Sequence, residues 1–178
     1  MRVRTLSNAG GSISRSRGAA RLDRVNAFTA GIQGGALVPA DRARIWAALT
    51  DPQLLPQLTP LLVRIEADGD LWRWHMMRIS ALGVGVNPVF TEQMRFQPMD
   101  RIDYRHAPPP GSQEYAGVEG SYQLTEVPAG TRLYAEMTMC IELPLPRAAA
   151  PAVQAVMRTT MARTRDRFSA NLLRHLGL

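Results

Sequence analysis

Between residues 61 and 143 the sequence is a series of short apolar segments joined by turns of only a few residues. Asp68-Gly69-Asp70, Pro98-Met99-Asp100 and Val127-Pro128-Ala129-Gly130 are three of these turns. Turns of this length require neighbouring strands to pair antiparallel, because a parallel pair needs a crossover of a dozen or more residues. The sequence therefore predicts an antiparallel sheet built mainly from hairpins.

Strands are predicted where apolar or aromatic residues alternate with polar ones. They cover residues 25–38, 61–67, 71–79, 89–96, 101–106, 115–124 and 131–143, with a bend or loop over 80–88. Two short helices are predicted after the first strand. One covers residues 42–49 with Asp41 as its cap, and the other lies near 54–58, where Pro56 and Pro60 keep it short.

The last part of the chain has the period of a helix rather than a strand. Val153, Met157, Thr164, Phe168 and Leu172 belong to a set of residues that recur at intervals of three and four, while the arginines mostly lie elsewhere. One long amphipathic helix is therefore predicted at the C-terminus. It is the only predicted helix long enough to cover the sheet, and a sheet wrapped around one helix commonly leaves a ligand cavity between them.

The formal net charge of +6 is concentrated at the front of the chain. Residues 1–24 hold six arginines and one acid, which leaves a net charge of only +1 for the remaining residues. We therefore expect no nucleic-acid partner. Residues 1–25 are predicted to be a disordered tail, and residues 26–178 to be one domain.

Composition also bears on location and source. All 21 basic residues are arginine, which suggests GC-rich coding and a bacterial source. Cys140 is the single cysteine, so no intramolecular disulfide can form, and no apolar run is long enough to span a membrane. We expect a cytoplasmic protein, and peripheral contact with a membrane or a partner protein stays open.

Four stretches together resemble the SRPBCC or START-like superfamily, which includes polyketide cyclases/dehydrases, lipid-transfer domains and relatives of a carbon-monoxide-dehydrogenase accessory protein. They are VPADRARIWAALTDPQLLPQLTP (38–60), DRIDYRH (100–106), EGSYQLTEVPAGTRL (119–133) and the closing helix. The resemblance covers residues 26–178. It implies an α+β helix-grip fold: a curved, seven-stranded antiparallel sheet wrapped around a long C-terminal helix, with two short helices after strand 1. It implies a hydrophobic pocket but no shared catalytic signature.

The residues predicted to line this pocket lie in the strands and in the last helix. They are Trp74, Met77, Phe90, Met94, Phe96, Tyr104, Tyr122, Met137, Met139, Met157 and Met161. The flexible thioethers suit variable apolar shapes, although methionine is also a routine core residue. A few polar groups in such a pocket would orient the ligand, and Tyr104, Tyr122 and Glu92 are the candidates.

Glu92 and His75 are the catalytic candidates, because a carboxyl or imidazole removed from water can acquire a pKa suited to acid/base chemistry. Each also has a structural interpretation: Glu92 as the partner of an arginine, and His75 as an ordinary strand histidine. Alternation does not settle which face of residues 71–79 lines the pocket, because both faces are partly apolar.

The sequence contains no pair of closely spaced metal ligands, no phosphate-binding loop and no Gly-x-Ser-x-Gly, so we expect neither a metal nor a cofactor. The first function hypothesis is binding or carrying of a hydrophobic small molecule such as a lipid, a polyketide or an isoprenoid. The second is a metal-independent enzyme of the cyclase/dehydratase type. The third is an accessory protein at a membrane or a partner enzyme. The ligand and the oligomeric state stay undetermined at this level.

Overall fold

The computed structural model of the protein describes residues 25–178, so the predicted tail lies outside the described residues except for Val25. These residues form, in order, β1 (Asn26–Val38), α1 (Arg42–Leu49), α2 (Leu55–Leu58), β2 (Leu62–Asp68), β3 (Leu71–Met76), β4 (Ile79–Ala81), β5 (Val84–Val86), β6 (Val89–Gln97), β7 (Arg101–His106), β8 (Ala116–Val127), β9 (Gly130–Leu143) and α3 (Ala150–His175). A single 3-10 turn, Arg147–Ala149, precedes α3.

Seven strands form one antiparallel sheet in the order β1-β9-β8-β7-β6-β3-β2. The first strand pairs with the last, so this contact joins the two ends of the described chain, whereas the other pairs join strands that are near in sequence. The helix α3 packs against the sheet beside β1. This arrangement confirms the predicted helix-grip α+β fold with two short helices after strand 1.

The predicted bend over residues 80–88 is wrong, because this segment forms a separate two-stranded hairpin of β4 and β5. Leu82 and Gly83 have φ angles of 55° and 77°, which is the backbone of a tight two-residue hairpin turn. A leucine rarely takes a positive φ, so the residue type at this position did not indicate the turn. The strand predicted to reach residue 79 accordingly ends at Met76.

The predicted side-chain cap of α1 is also wrong. Asp41 occupies the cap position, but its side chain makes no capping hydrogen bond. The aspartate that does this elsewhere is Asp51, whose carboxylate accepts hydrogen bonds from the backbone N–H groups of Gln53 and Leu54 at 2.8 and 3.2 Å. This Asx-type turn positions the chain to enter α2.

Two hydrophobic clusters hold α3 against the rest of the fold. At its C-terminal end, Leu172 and Leu176 are buried in the cluster that contains α1, α2 and most of the sheet. Nearer its N-terminal end, Val153, Met157 and Met161 pack in a second cluster with residues of β1 and β9. The helix is therefore fastened at two places along its length, and the space between helix and sheet is set by both.

Gly120 of β8 allows an unusual packing of Tyr104 across the sheet. The two residues are paired between β7 and β8, and the Tyr104 ring lies over the glycine so that its hydroxyl donates to the backbone carbonyl of Glu136 at 3.0 Å. A Cβ at Gly120 would lie 2.7 Å from the Tyr104 hydroxyl oxygen and would collide with the same carbonyl. The glycine is thus required for a tyrosine to reach over β8 to β9.

We expect Gly120→Ala to lower the free energy of unfolding by about 2 kcal/mol, since overpacking a tight site typically costs 1–3 kcal/mol. Urea denaturation of the two proteins measures this difference. Gly31→Ala is the matched control, because the Cβ it adds would meet its nearest atoms at an ordinary 3.4 Å. Equal losses in the two variants would contradict the role assigned to Gly120.

Candidate ligand-binding site

A cavity of about 200 Å³ lies between the inner face of the sheet and the N-terminal half of α3. Side chains from β3, β6, β7, β8 and β9 form its wall on the sheet side, and residues of α3 face them. The β4–β5 hairpin and the segment around α2 contribute further wall residues. The cavity therefore lies where the predicted pocket was expected.

Most of the predicted lining residues face this cavity. They are Trp74, Phe90, Met94, Tyr104, Tyr122, Met137, Met139, Met157 and Met161. Two others do not line it. Met77 follows the end of β3 and is 53% exposed, while Phe96 lies further along β6 and packs edge-on against Trp46 and obliquely against Trp72, at ring-centre distances of 6.3 and 5.7 Å.

Much of the wall was not predicted from the sequence. The additional residues come from the hairpin, the α1–α2 region, the strands and α3: Leu49, Leu55, Thr59, Leu61, Leu62, Met76, Ile79, Leu82, Val84, Val86, Ile102, Val118, Ile141, Leu143, Leu145, Val153, Val156, Thr160 and Thr164. Apolar residues at 79, 82, 84 and 86 were the available signal for the hairpin. The two glycines between them favoured the interpretation as a loop instead.

Aromatic rings give the cavity two flat surfaces. Trp74 and Phe90 are paired between β3 and β6 and are stacked at an angle of 11°, with ring centres 6.4 Å apart. Tyr104 and Tyr122 are tilted against each other on the neighbouring strands, with ring centres 5.7 Å apart. Flat apolar walls of this kind fit rings or extended chains better than compact polar molecules.

Glu92 is the one carboxyl group among the described residues that line the cavity, and its side chain is almost completely buried. Within residues 25–178 it forms no ion pair and no well-aligned hydrogen bond, so the predicted structural alternative, pairing with an arginine, is absent from the part of the chain described. Burial raises its pKa well above the usual value, because a charged carboxylate is penalised away from water.

The Trp74 indole N–H partly opposes this shift in the Glu92 pKa, so the two groups lie close together. The contact is not a hydrogen bond of ordinary geometry, since Trp74 Nε1 is buried without a partner. A buried donor and a buried carboxyl are therefore both left unsatisfied at one end of an apolar cavity. Unsatisfied groups of this kind are uncommon in native proteins, and each costs about 1–3 kcal/mol.

The two tyrosines are also kept in their neutral forms. Burial, together with the neighbouring Tyr122 and Glu92, raises the pKa of Tyr104 well above its usual value, and burial and Glu92 raise the pKa of Tyr122 to about 12. The hydroxyl of Tyr104 is already committed to the Glu136 carbonyl. That of Tyr122 has no hydrogen-bond partner among the described residues, which makes it a group free to meet a ligand.

His75 lies on the opposite face of β3 from the cavity. Trp72, Trp74 and Met76 face inward, and His75 Nε2 instead lies 3.2 Å from Glu66 Oε2 on β2. The contact is close enough for an ion pair but lacks hydrogen-bond geometry. The face left undecided by the sequence is thus settled, and of the two catalytic candidates only Glu92 reaches the cavity.

A second polar cluster lies beside the loop between β7 and β8. The carboxylate of Glu114 accepts hydrogen bonds at 2.7 Å from the backbone N–H and from the hydroxyl of Thr91, and it lies 3.0 Å from His106 Nε2. None of these three residues lines the cavity. Because the cluster satisfies its own polar groups and ties the loop to β6, its role is structural.

Metal-binding groups and membrane-spanning helices are both absent from residues 25–178. No three histidine, cysteine, aspartate or glutamate side chains in this range come together in a group able to hold a metal ion. No helix in the same range is both long and apolar enough to cross a membrane.

No protein-family model matches the sequence, and no curated protein matches it. Solved structures with a similar fold include the Zhui aromatase/cyclase from a Streptomyces species, at 13% identity and a TM-score of 0.59 over 83% of this chain and 93% of that one. A conserved protein from Geobacillus kaustophilus is 15% identical, with a TM-score of 0.60 over 84% of this chain and 95% of that one.

A third similar structure is the di-domain aromatase/cyclase StfQ from the steffimycin biosynthetic pathway, at 14% identity and a TM-score of 0.58. The match covers 85% of this chain but only 53% of StfQ, so the chain spans about half of that protein. At such identities these structures show a shared fold, which is the helix-grip fold of the resemblance noted in the sequence.

The buried carboxyl of Glu92 makes stability depend on pH. Its pKa is higher in the folded protein than the usual 4.5, so its contribution to stability is greatest below pH 4.5 and is lost as pH rises through the folded-state pKa. We expect Glu92→Gln, which cannot ionise, to gain in Tm relative to wild type between pH 4.5 and 8. Each kcal/mol of difference corresponds to about 2–4 °C in a chain of this size.

Thermal unfolding followed by circular dichroism at a series of pH values measures this gain. The control is Glu119→Gln, because Glu119 is exposed on β8 and its replacement is expected to leave the difference in Tm flat over the same range. A constant offset between Glu92→Gln and wild type at every pH would contradict the raised pKa of Glu92.

Proposed function

We propose that this helix-grip protein binds or carries a hydrophobic small molecule, of the lipid, polyketide or isoprenoid kind, in the cavity between sheet and helix. The observation that carries the proposal is an apolar cavity in which a buried carboxyl and a buried indole N–H both lack partners. The single thiol of Cys140 suits a cytoplasmic site of action. Aromatase/cyclases of similar fold support a small-molecule role in general terms.

The energetics support a ligand rather than an empty core. Packed interiors contain few voids larger than a water molecule, and empty cavities lower stability in proportion to their volume. Leaving Glu92 and Trp74 Nε1 unsatisfied adds a further cost. A ligand with an apolar body and one hydrogen-bonding group would offset both costs by filling the space and pairing these groups.

The polar end of the cavity defines what that group is. A neutral carboxylic acid presents one O–H donor and one carbonyl acceptor, Trp74 presents a donor, and Tyr122 presents a hydroxyl. No arginine or histidine of the described chain lines the cavity, so an anionic ligand would meet no balancing charge there. The preferred group is therefore a neutral carbonyl or hydroxyl.

Native mass spectrometry of the freshly purified chain, followed by organic extraction, tests occupancy directly. We expect either a stoichiometric apolar passenger or, after incubation with the neutral aromatic ketone acetylnaphthalene, a one-to-one complex. Val156→Phe should weaken this complex at least tenfold, because Val156 faces the cavity and the added ring would occupy it.

Ala155→Phe is the matched control, since it places the same ring one position along α3 on the exposed side. Its affinity for acetylnaphthalene should equal that of wild type. Equal weakening by the two variants, or the absence of both a passenger and a complex, would overturn the proposed site.

A second candidate function is catalysis of the cyclase/dehydratase type, and the protonated state favoured for Glu92 is the observation that supports it. A neutral carboxylic acid beside the Tyr122 hydroxyl can donate a proton to a carbonyl or to a departing hydroxyl group. In this mechanism Glu92 is the acid and Tyr122 polarises the substrate carbonyl. His75 has no part in it, because it lies outside the cavity.

A β-hydroxytetralone tests this candidate, because loss of water converts it to a naphthol whose fluorescence can be followed. If the protein is a dehydratase, turnover should fall as pH rises through the Glu92 pKa, and Glu92→Gln should reduce kcat at least a hundredfold while acetylnaphthalene still binds. His75→Ala should retain wild-type kcat. Turnover that survives Glu92→Gln, or binding and turnover lost together, would remove the catalytic assignment.

A further inference from the structure

A second cavity of about 490 Å³ lies between β1, β9 and the C-terminal half of α3. Its apolar wall includes Ile32, Val38, Leu133, Phe168, Leu172 and Leu173. We call it the distal compartment and the cavity around Glu92 the proximal compartment. Neither the sequence nor the proposed function accounts for it.

The distal compartment exists because the strands facing α3 carry small residues there. Gly34 of β1 is paired directly with Ala135 of β9, and both residues line the compartment. A Cβ at Gly34 would have a single neighbour within 4 Å, the Arg165 guanidinium at 3.7 Å. Larger side chains at this pair would fill the space, so its emptiness is a property of these two positions.

The two compartments meet at a shared partition. Thr59, Tyr104, Tyr122, Met137 and Thr164 line both of them. Tyr104 is fixed by its hydrogen bond to the Glu136 carbonyl. Tyr122 has no such partner among the described residues, and Met137 has a flexible side chain, so these two can shift to join the compartments.

We propose that the two compartments are the halves of one elongated binding site, and that the natural ligand is a long apolar molecule with its hydrogen-bonding group at Glu92 and its far end beyond Tyr122. This inference rests on the proposed function and specifies its ligand class. A long ligand would bury its chain against the apolar residues of both compartments, and the area buried would grow with its length.

The charged residues at the edge of the distal compartment are already paired. Arg165 and Asp166 lie 2.9 Å apart on the exposed side of α3. The carboxylate of Glu136 accepts a hydrogen bond from the Ser121 hydroxyl at 3.0 Å and lies 3.8 Å from the Arg101 guanidinium. These pairs leave no charge to be matched by the ligand, so its distal part is uncharged.

Methyl ketones of increasing chain length, from octanone to tetradecanone, test the inference with the full chain. Affinity is measured by quenching of tryptophan fluorescence, since Trp74 lines the proximal compartment. Each methylene buried should strengthen binding about fourfold, and in wild type the gain should continue to the longest ketones.

Gly34→Val and Ala135→Leu fill the distal compartment and should stop this gain. Octanone affinity should stay within twofold of wild type in both variants, whereas tetradecanone should bind at least tenfold more weakly. Gly31→Val is the matched control: it adds a valine side chain to the exposed face of β1, where the nearest atoms lie 3.4 Å away, and should keep the wild-type length dependence.

The outcomes separate the two proposals. If octanone binds wild type but longer ketones gain nothing, or if the filling variants keep the full length dependence, the elongated site is wrong and the proposed function stands. If the filling variants weaken octanone and tetradecanone alike, the distal compartment is no part of the site. If no ketone of any length binds wild type, the proposed function fails together with the inference. Retained octanone binding shows that each variant is folded.

Discussion

The attachment of α3 to the sheet at two separated hydrophobic clusters is the constraint on which the site depends. Leu172 and Leu176 anchor the end of the helix against α1 and α2, and two hydrogen bonds reinforce this anchor: Arg44 donates to the Leu176 carbonyl at 2.7 Å, and Asn171 donates to the Leu58 carbonyl at 2.9 Å. Val153 and its neighbours form the other attachment. Side chains between the attachments cannot close onto the sheet, because the helix is a stiff rod held at a fixed distance from it.

The turn from β1 into α1 connects this anchor to the sheet. Thr131 at the start of β9 is fully buried, and its hydroxyl donates to the Ala40 carbonyl at 2.9 Å. Gly130, at a φ of 129°, lets β9 begin directly against Pro39, where a Cβ would lie 2.7 Å from the proline Cα. The Gly130-Thr131 pair is therefore the joint that brings α1, and with it the end of α3, to its position over the sheet.

How much the sequence could predict follows from the range of the interactions involved. Hairpin turns and helical periodicity are local, so the sheet, the short helices and α3 were predicted within a few residues. Residue placement depended on which face a strand presents. Alternation placed Phe90, Glu92 and Met94 correctly on one face, but it left His75 undecided because Trp72 and Trp74 alternate with residues that are also partly apolar. Phe96 has the right parity yet lies too far along β6, where Trp46 covers it.

The cavities themselves could not be predicted, because each is made by residues distant in sequence. The hairpin at 79–86 closes part of the proximal compartment, and its turn depends on a leucine in a conformation that leucine seldom adopts. The distal compartment depends on Gly34 meeting Ala135, a pairing known only once β1 is placed beside β9. Small residues in one strand do not by themselves indicate a void, since a larger residue opposite would fill it.

Both compartments and the buried Glu92 work against the stability of the unliganded fold. A native protein is only marginally stable, with a free energy of unfolding of about 5–15 kcal/mol, so an unpaired carboxyl, an unpaired indole N–H and two cavities are large costs on that scale. A ligand that binds only the folded state returns stability in proportion to the logarithm of its concentration over Kd. Sites that break the packing and pairing rules followed elsewhere in a structure are where function is expected. In this fold the broken rules coincide at Glu92, Trp74 and the face of α3 above them, which is why the carrier and catalytic hypotheses differ only in whether the Glu92 proton stays or moves.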